Sequence, residues 1–371
     1  MRAKINYPRL AVKTLLCILL ISLIVLPVVK NSIGKLSLYN WIIPGRDRLP
    51  FSDTPQLAYN LSLFNLEANL ASHAISDRSS PQGEFRVILL GDSSTWGTLL
   101  KPEETLAGQL NRMELSGPGG APIHFYNFGY PTLSLTKDLL LLERALAYKP
   151  DMIIWLFTLE SFPDDKQLTS PLVENNPQAV SALFDKYNLD PKSFGEEDLT
   201  HSYWESTLFG QRRNLADILR LQLYGVMWAI TGIDQYYPAE YTGAARDLSD
   251  EVRFHGWEKG EMTADQLALE ILAAGKDAAG KTPLIYVNEP ILVSQGENSD
   301  LRYNFYYPRW AYDEYRRLMN RFSTGQDLNY LDYWDLIPGE EFTNTAIHAT
   351  PEGVNLFAKA LAPQILLHFN P

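Results

Sequence analysis

Cysteine is almost absent from this chain: Cys17 is the only one in 371 residues, so no intramolecular disulfide can form and the core must hold the fold. Basic charge is also short. Lys and Arg number 32 against 44 Asp and Glu, a net charge of −12, and nucleic-acid binding needs the basic footprint this chain lacks. No nucleic acid is expected as a partner. Histidines are few, six in all; His73, His124, His201, His255 and His368 have no metal-ligand spacing, so no metal is expected. Internal repeats and low-complexity tracts are missing. Apolar residues make up 46% of the sequence, and with this length there is chain enough for a large single domain or two.

One segment is not globular. Arg2, Lys4, Arg9 and Lys13 precede an uncharged run from Thr14 to Val29, closed by Lys30. A membrane span takes about 17–25 residues, and the stems of Lys13 and Lys30 extend this run toward that length. Basic residues on the amino-terminal side keep that end cytoplasmic. Residues 1–35 therefore read as a cytoplasmic tip and single-pass anchor in the cell membrane, with the carboxy-terminal domain extracytoplasmic. A cleaved signal peptide ending near Ser32-Ile33-Gly34 is the alternative, and either way the rest of the chain is exported. Residues 36–84 carry no strong periodicity and read as a tether packing on a domain that occupies 85–371.

That domain alternates strand and helix. Val87–Leu90, His124–Phe128 and Met152–Phe157 read as strands one to three, with a helix over about 102–113 and another over Leu135–Tyr148 between them. Unbroken apolar runs of this kind suit strands buried on both faces of a parallel sheet. The alternation stops from about 162 to 282, a large helical insertion. It holds a polar loop, a helix from about Glu205 to Thr231 that reads as a core or cap helix, and a helix over Ala264–Ala274. Arg220 near the middle of the first helix argues against a second membrane span. Membrane-surface contact helped by Arg212 and Arg213 is the minor reading of that helix. Leu284–Val287 and Tyr330–Tyr333 are strands four and five, with helices over Trp310–Phe322 and Glu352–Leu367. Thr350 and Pro351 fit a cap and first residue for the last helix.

Two places carry chemistry. The first apolar run halts at Gly91-Asp92-Ser93, and in an open α/β sheet ligands bind just beyond the carboxyl ends of the strands. A serine there is exposed at the top of the sheet, as in a nucleophile elbow. The second is His348, which follows strand five and precedes the last helix on the same rim. A histidine base beside a serine hydroxyl is what nucleophilic catalysis requires. A third motif, Gly275-Lys276-Asp277-Ala278-Ala279-Gly280-Lys281-Thr282, matches a phosphate loop by letter but not by context. A phosphate loop follows a strand and opens a helix, whereas here a helix precedes and a strand comes next. No nucleotide or other cofactor is expected.

Gly91-Asp92-Ser93, Asn127-Phe128-Gly129 after strand two and His348-Ala349-Thr350-Pro351-Glu352-Gly353 together resemble the SGNH, or GDSL, hydrolase family over roughly 85–160 and 284–367. The resemblance implies a flavodoxin-like three-layer α/β/α sandwich with a five-stranded parallel sheet. It implies a serine esterase or O-acyltransferase working through an acyl-serine, with Ser93 as nucleophile, His348 as general base and the Ser93 amide in the oxyanion hole. The chain departs from the family pattern in three blocks. The glycine of the second block falls on Thr132, with Gly129 close by. The Gly-x-Asn-Asp of the third block is replaced by Phe157-Thr158-Leu159-Glu160, which removes the asparagine donor. Gly129 and Asn288 are the replacement oxyanion candidates. The aspartate that usually stands three residues before the histidine is Thr345, which leaves Asn344 as the orienting candidate and Asp332 and Asp335 near strand five. The expected partners are a small-molecule or glycan ester substrate, such as acylated envelope glycans or lipids, and the membrane. The competing reading is a cell-envelope binding protein that keeps the fold and has weak or no activity.

Overall fold

The computed structural model describes residues 6–25, 83–195, 207–232 and 237–369, with the single residues Ile42, Leu66, Ile75 and Trp204. Most of the tether at 36–84 lies outside the described residues. Leu66 and Ile75 belong to it, and both are buried in the main core.

Five strands, β1 (Phe85–Gly91), β2 (Ile123–Gly129), β3 (Met152–Phe157), β4 (Leu284–Asn288) and β5 (Asn329–Asp332), form one sheet in the order β2-β1-β3-β4-β5. Every pairing is parallel. The order is flavodoxin-like, and the three-layer sandwich expected from the sequence is present. Chain direction reverses between β1 and β3, since β1 leads outward to β2 and β3 leads the other way to β4. That switch point is where a doubly wound sheet opens a crevice. β3 is buried along its whole length, as an apolar strand covered on both faces must be.

Helices cover both faces. The described helices are α1 (Tyr7–Leu20), α2 (Ser93–Trp96), α3 (Leu106–Arg112), α4 (Leu135–Ala145), α5 (Pro171–Glu174), α6 (Pro177–Tyr187), α7 (Arg212–Thr231), α8 (Leu269–Ala279), α9 (Arg309–Gly325) and α10 (Pro351–Phe369). The apolar sides of α4, α8 and α9 pack on Ile88, Ile153 and Tyr286, and those of α3 and α10 pack on Val87, Leu89 and Ile154. Alternate residues of each strand therefore serve opposite layers.

Three expectations need correction. The helix expected over 102–113 is a 3-10 turn at Pro102–Glu104 followed by α3, because Thr105 is extended and its hydroxyl accepts the Gly108 amide proton at 3.2 Å. The insertion is not a plain polar loop at its start. Leu172 and Val173 of α5 and Val180, Leu183 and Phe184 of α6 are buried in the core beside α4. The helix expected as a core or cap helix is α7, and the core alternative fails: Leu219, Leu223, Met227 and Ile230 are all more than half exposed.

Gly275 to Ala279, the start of the rejected phosphate loop, lie inside α8. A Cβ on Gly275 would stand 2.4 Å from Trp155 Cζ3, so its glycine lets the helix sit down on β3. α1 with the residues after it, Tyr7 to Ile24, is the one stretch among the described residues long and apolar enough to cross a membrane.

Candidate active site

The site starts from two glycines. Gly91 ends β1 and stands in register with Gly129, the last residue of β2. The Asn127-Phe128-Gly129 motif thus belongs to the strand rather than to the turn after it. A Cβ on Gly91 would come 2.2 Å from Thr95 Oγ1, and one on Gly129 would come 2.3 Å from the Trp96 backbone nitrogen. Only hydrogen at both positions lets α2 rest directly on the strand ends. Asp92 caps that helix, its Oδ1 accepting the Ser94 amide proton at 2.8 Å. Gly97 ends it in the left-handed region at φ 92°. Two residues past the sheet, Ser93 is half-buried on the first turn.

His348 comes from the loop between β5 and α10. Thr343 N–H and Oγ–H both donate to the His348 carbonyl, at 2.7 and 2.9 Å. The His348 amide donates to Thr345 Oγ1 at 3.1 Å, so the residue in the usual aspartate position shapes the backbone and not the ring. Thr350 accepts the Gly353 amide proton at 3.2 Å as α10 begins at Pro351, the cap that the sequence indicates. The ring is 8% exposed. Its Nε2 lies 2.8 Å from Ser93 Oγ, and its Nδ1 lies 3.1 Å from Asn344 Oδ1.

Asn344 turns its amide oxygen, which can only accept, toward the ring. Nδ1 therefore carries the proton, and the lone pair of Nε2 faces the serine hydroxyl. Burial holds the His348 pKa below its ordinary value, against the opposing charge of Asp92. A neutral imidazole within hydrogen-bond reach of a hydroxyl can take its proton.

Neither replacement oxyanion donor is available. The Gly129 amide donates to Asn127 Oδ1 at 2.9 Å in a buried setting. Asn288 is fully buried: its Nδ2 donates to Asp332 at 2.8 Å, and its Oδ1 accepts from Tyr312 and Tyr315 of α9 at 3.0 and 3.2 Å. That asparagine ties β4 to α9 and β5. Asp332 is taken as well, paired with Arg316 at 2.7 Å. Of the three residues proposed for the oxyanion hole, Ser93 remains.

Two groups at this rim escaped the sequence reading. Glu289, directly after β4, is 2% exposed and accepts a hydrogen bond from Ser94 Oγ. Its signal was an acidic residue at the end of a buried apolar strand, followed by proline. Glu289, Ser94 and His348 line one pocket together with Leu106, Leu156 and Phe357. The second group is Glu160 in the altered third block. His255 Nε2 stands 3.2 Å from it, His255 Nδ1 stands 3.2 Å from Asp165, and Lys166 joins Glu160 at 3.2 Å. Burial opposes charge on His255, but the two carboxylates outweigh it and raise its pKa.

No family model matches the sequence, and no curated protein matches it. Among solved structures the chain is similar to the lipase/acylhydrolase from Enterococcus faecalis, with 14% identity, a TM-score of 0.37 and coverage of 77% of this chain and 98% of that one. It is similar to a carbohydrate acetylesterase family member from Sinorhizobium meliloti at 14% identity and a TM-score of 0.34, over 77% of this chain and all of the other (100%). The aryl esterase of M. smegmatis follows at 13% identity and a TM-score of 0.33, over 76% and 98%. The fold assignment rests on the strand order and register described above.

Proposed function

We propose that this chain is a membrane-attached serine esterase or O-acyltransferase of the SGNH type, acting on small-molecule or glycan esters outside the cytoplasm. The carrying observation is the 2.8 Å approach of Ser93 Oγ to His348 Nε2. In the proposed cycle Ser93 Oγ attacks the ester carbonyl while His348 Nε2 takes its proton. The proton then passes to the leaving alkoxide, and an acyl-serine remains. Water, or an acceptor hydroxyl, reverses those roles to release the acyl group. The Ser93 amide, on the first turn of α2, is the donor assigned to the developing oxyanion. Asn344 holds the imidazole in the required tautomer without supplying charge.

Two observations support membrane attachment. The first is the apolar stretch from Tyr7 to Ile24. The second links it to α7: the Leu208 amide, just before that helix, donates to Ser22 Oγ at 3.0 Å. The exposed Leu219, Leu223, Met227 and Ile230 recur every three or four residues, which makes one stripe along α7. Placed beside the anchor, that stripe faces the same bilayer, with Arg212 and Arg213 near the lipid headgroups.

The test is covalent labelling with a fluorophosphonate, together with hydrolysis of p-nitrophenyl acetate, by the full-length protein in detergent. Wild type is expected to label and turn over, and Ser93→Ala to do neither. Labelling that persists in Ser93→Ala places the nucleophile elsewhere, and folded wild type that neither labels nor turns over favours the binding-protein reading.

A further inference from the structure

Beneath the serine–histidine pair lie two carboxyl groups that the proposed cycle does not use. Asp92 and Glu289 are each 2% exposed. Ser94 bridges them, giving its amide proton to Asp92 Oδ1 and its hydroxyl proton to Glu289 Oε2. The remaining oxygen of each, Asp92 Oδ2 and Glu289 Oε1, is buried and reached by no donor. Their shared partner Ser94 brings the two carboxyl groups together, close enough for the charge of Asp92 to act on Glu289. Two ionised carboxylates so placed repel each other, and both are acceptors only. One proton between them satisfies both orphan oxygens at once.

The surroundings decide which group keeps the charge. Asp92 caps α2, its Oδ1 accepting the Ser94 amide proton. Glu289 has no comparable donor; burial first, and the charge of Asp92 second, drive its pKa well above the usual carboxylate range. The other titratable groups facing the pair are His348 from the last loop, Asp138 and its ion-pair partner Lys137 from α4, Tyr306 from the loop before α9, and Tyr312 from α9. Lys137 is engaged by Asp138 at 2.5 Å and by the Gly91 carbonyl at 2.9 Å.

We propose that Asp92 and Glu289 hold one proton between Asp92 Oδ2 and Glu289 Oε1, with Glu289 as the neutral acid, and that the charge kept on Asp92 is the counter-charge for the His348 imidazolium. In that role Asp92 stands in for the missing triad aspartate, because Asn344, the contact partner of the ring, is uncharged. Asp92 and Glu289 are positioning residues, acting on the reaction only through His348. When Ser93 Oγ–H breaks and its proton reaches Nε2, the proton of the pair stays where it is. This catalytic consequence rests on the esterase reading, whereas the shared proton does not.

The experiment has two readouts on the full-length protein. Infrared spectra at about pH 8.5, where Asp138 (raised to about 6) and Asp164 (raised to about 7) are ionised, are expected to contain the carbonyl stretch of a protonated carboxyl group that Glu289→Gln removes. A wild-type spectrum without that band overturns the shared proton. The second readout is the His348 pKa, taken from the ring C–H resonances, which needs no turnover. Asp92→Asn is expected to lower it by about one unit, the effect of removing a nearby opposite charge. Glu289→Gln, whose amide can donate to Asp92 as the acid did, is expected to leave it within a few tenths. A His348 pKa unmoved by Asp92→Asn overturns the counter-charge role.

If the wild type is active, Asp92→Asn is expected to lose about tenfold in kcat, one pKa unit expressed as rate. An inactive wild type whose His348 pKa still falls in Asp92→Asn sinks the esterase reading and leaves the pair intact.

Discussion

Asn344 Oδ1 lies 3.1 Å from His348 Nδ1, on the side of the ring away from Ser93. An amide oxygen there can fix the tautomer and orientation of the imidazole, as a carboxylate would. It cannot neutralise the positive charge that forms when the ring takes a proton.

The first prediction concerns that contact. Asn344→Ala removes one hydrogen bond to a group that becomes charged, worth about 1.5–3 kcal/mol, so kcat is expected to fall roughly 10- to 100-fold. Asn344→Asp supplies the missing charge and is expected to raise the His348 pKa by about one unit or more. Steady-state kinetics and titration of the ring resonances check both arms.

The rate should depend on pH in one direction. His348 acts as a base only when neutral, and burial holds its pKa below the ordinary His value of about 6.5. The rate constant kcat/KM is therefore expected to be flat near neutrality and to fall on the acid side, with a midpoint below that value. Stability follows the same sign. A group whose folded pKa is depressed contributes stability above its unfolded pKa, and that stability is lost as pH falls through the folded pKa. Urea unfolding at several acidic pH values is expected to be less pH-dependent in His348→Gln than in wild type.

Gly129→Ala tests the seating of α2. The added methyl would stand 2.3 Å from the Trp96 backbone nitrogen, an atom that cannot swing away as a side chain end would. Overpacking of this kind costs about 1–3 kcal/mol, and here the strain displaces the helix that carries Ser93. Thermal unfolding is expected to show the loss. Fluorophosphonate labelling of the folded fraction is expected to slow at least tenfold, since about 1.4 kcal/mol is already a factor of ten in rate.

Membrane attachment can be checked by extraction. Detergent is expected to release the full-length protein from membranes, while high salt leaves it in place. An apolar helix held in lipid is indifferent to screening, whereas a purely electrostatic attachment is not. Release by salt alone would count against the anchor.

Much of the sheet was legible because buried parallel strands write themselves as apolar runs. Val87–Leu90 and Met152–Phe157 needed no partner to be read. Ser93 and His348 were legible from their places at strand ends on one rim. α2 was not, since four residues carry no periodicity. Asn288 was misjudged because an amide at the end of a strand reads the same whether it faces the rim or a neighbouring helix. Tyr312 and Tyr315, one turn apart on α9, decide that it faces the helix. Glu289 was silent for a related reason. Its chemistry depends on Asp92, and nothing local in the sequence connects the two.

The hydroxyl comes from the turn after the first strand, while the imidazole comes from the loop before the final helix, 255 positions later. A chain emerging from the ribosome therefore exposes its serine long before any base exists to activate it. In the proposed cycle the serine has no base until the loop before the last helix has docked. Assembly itself acts as the safety catch.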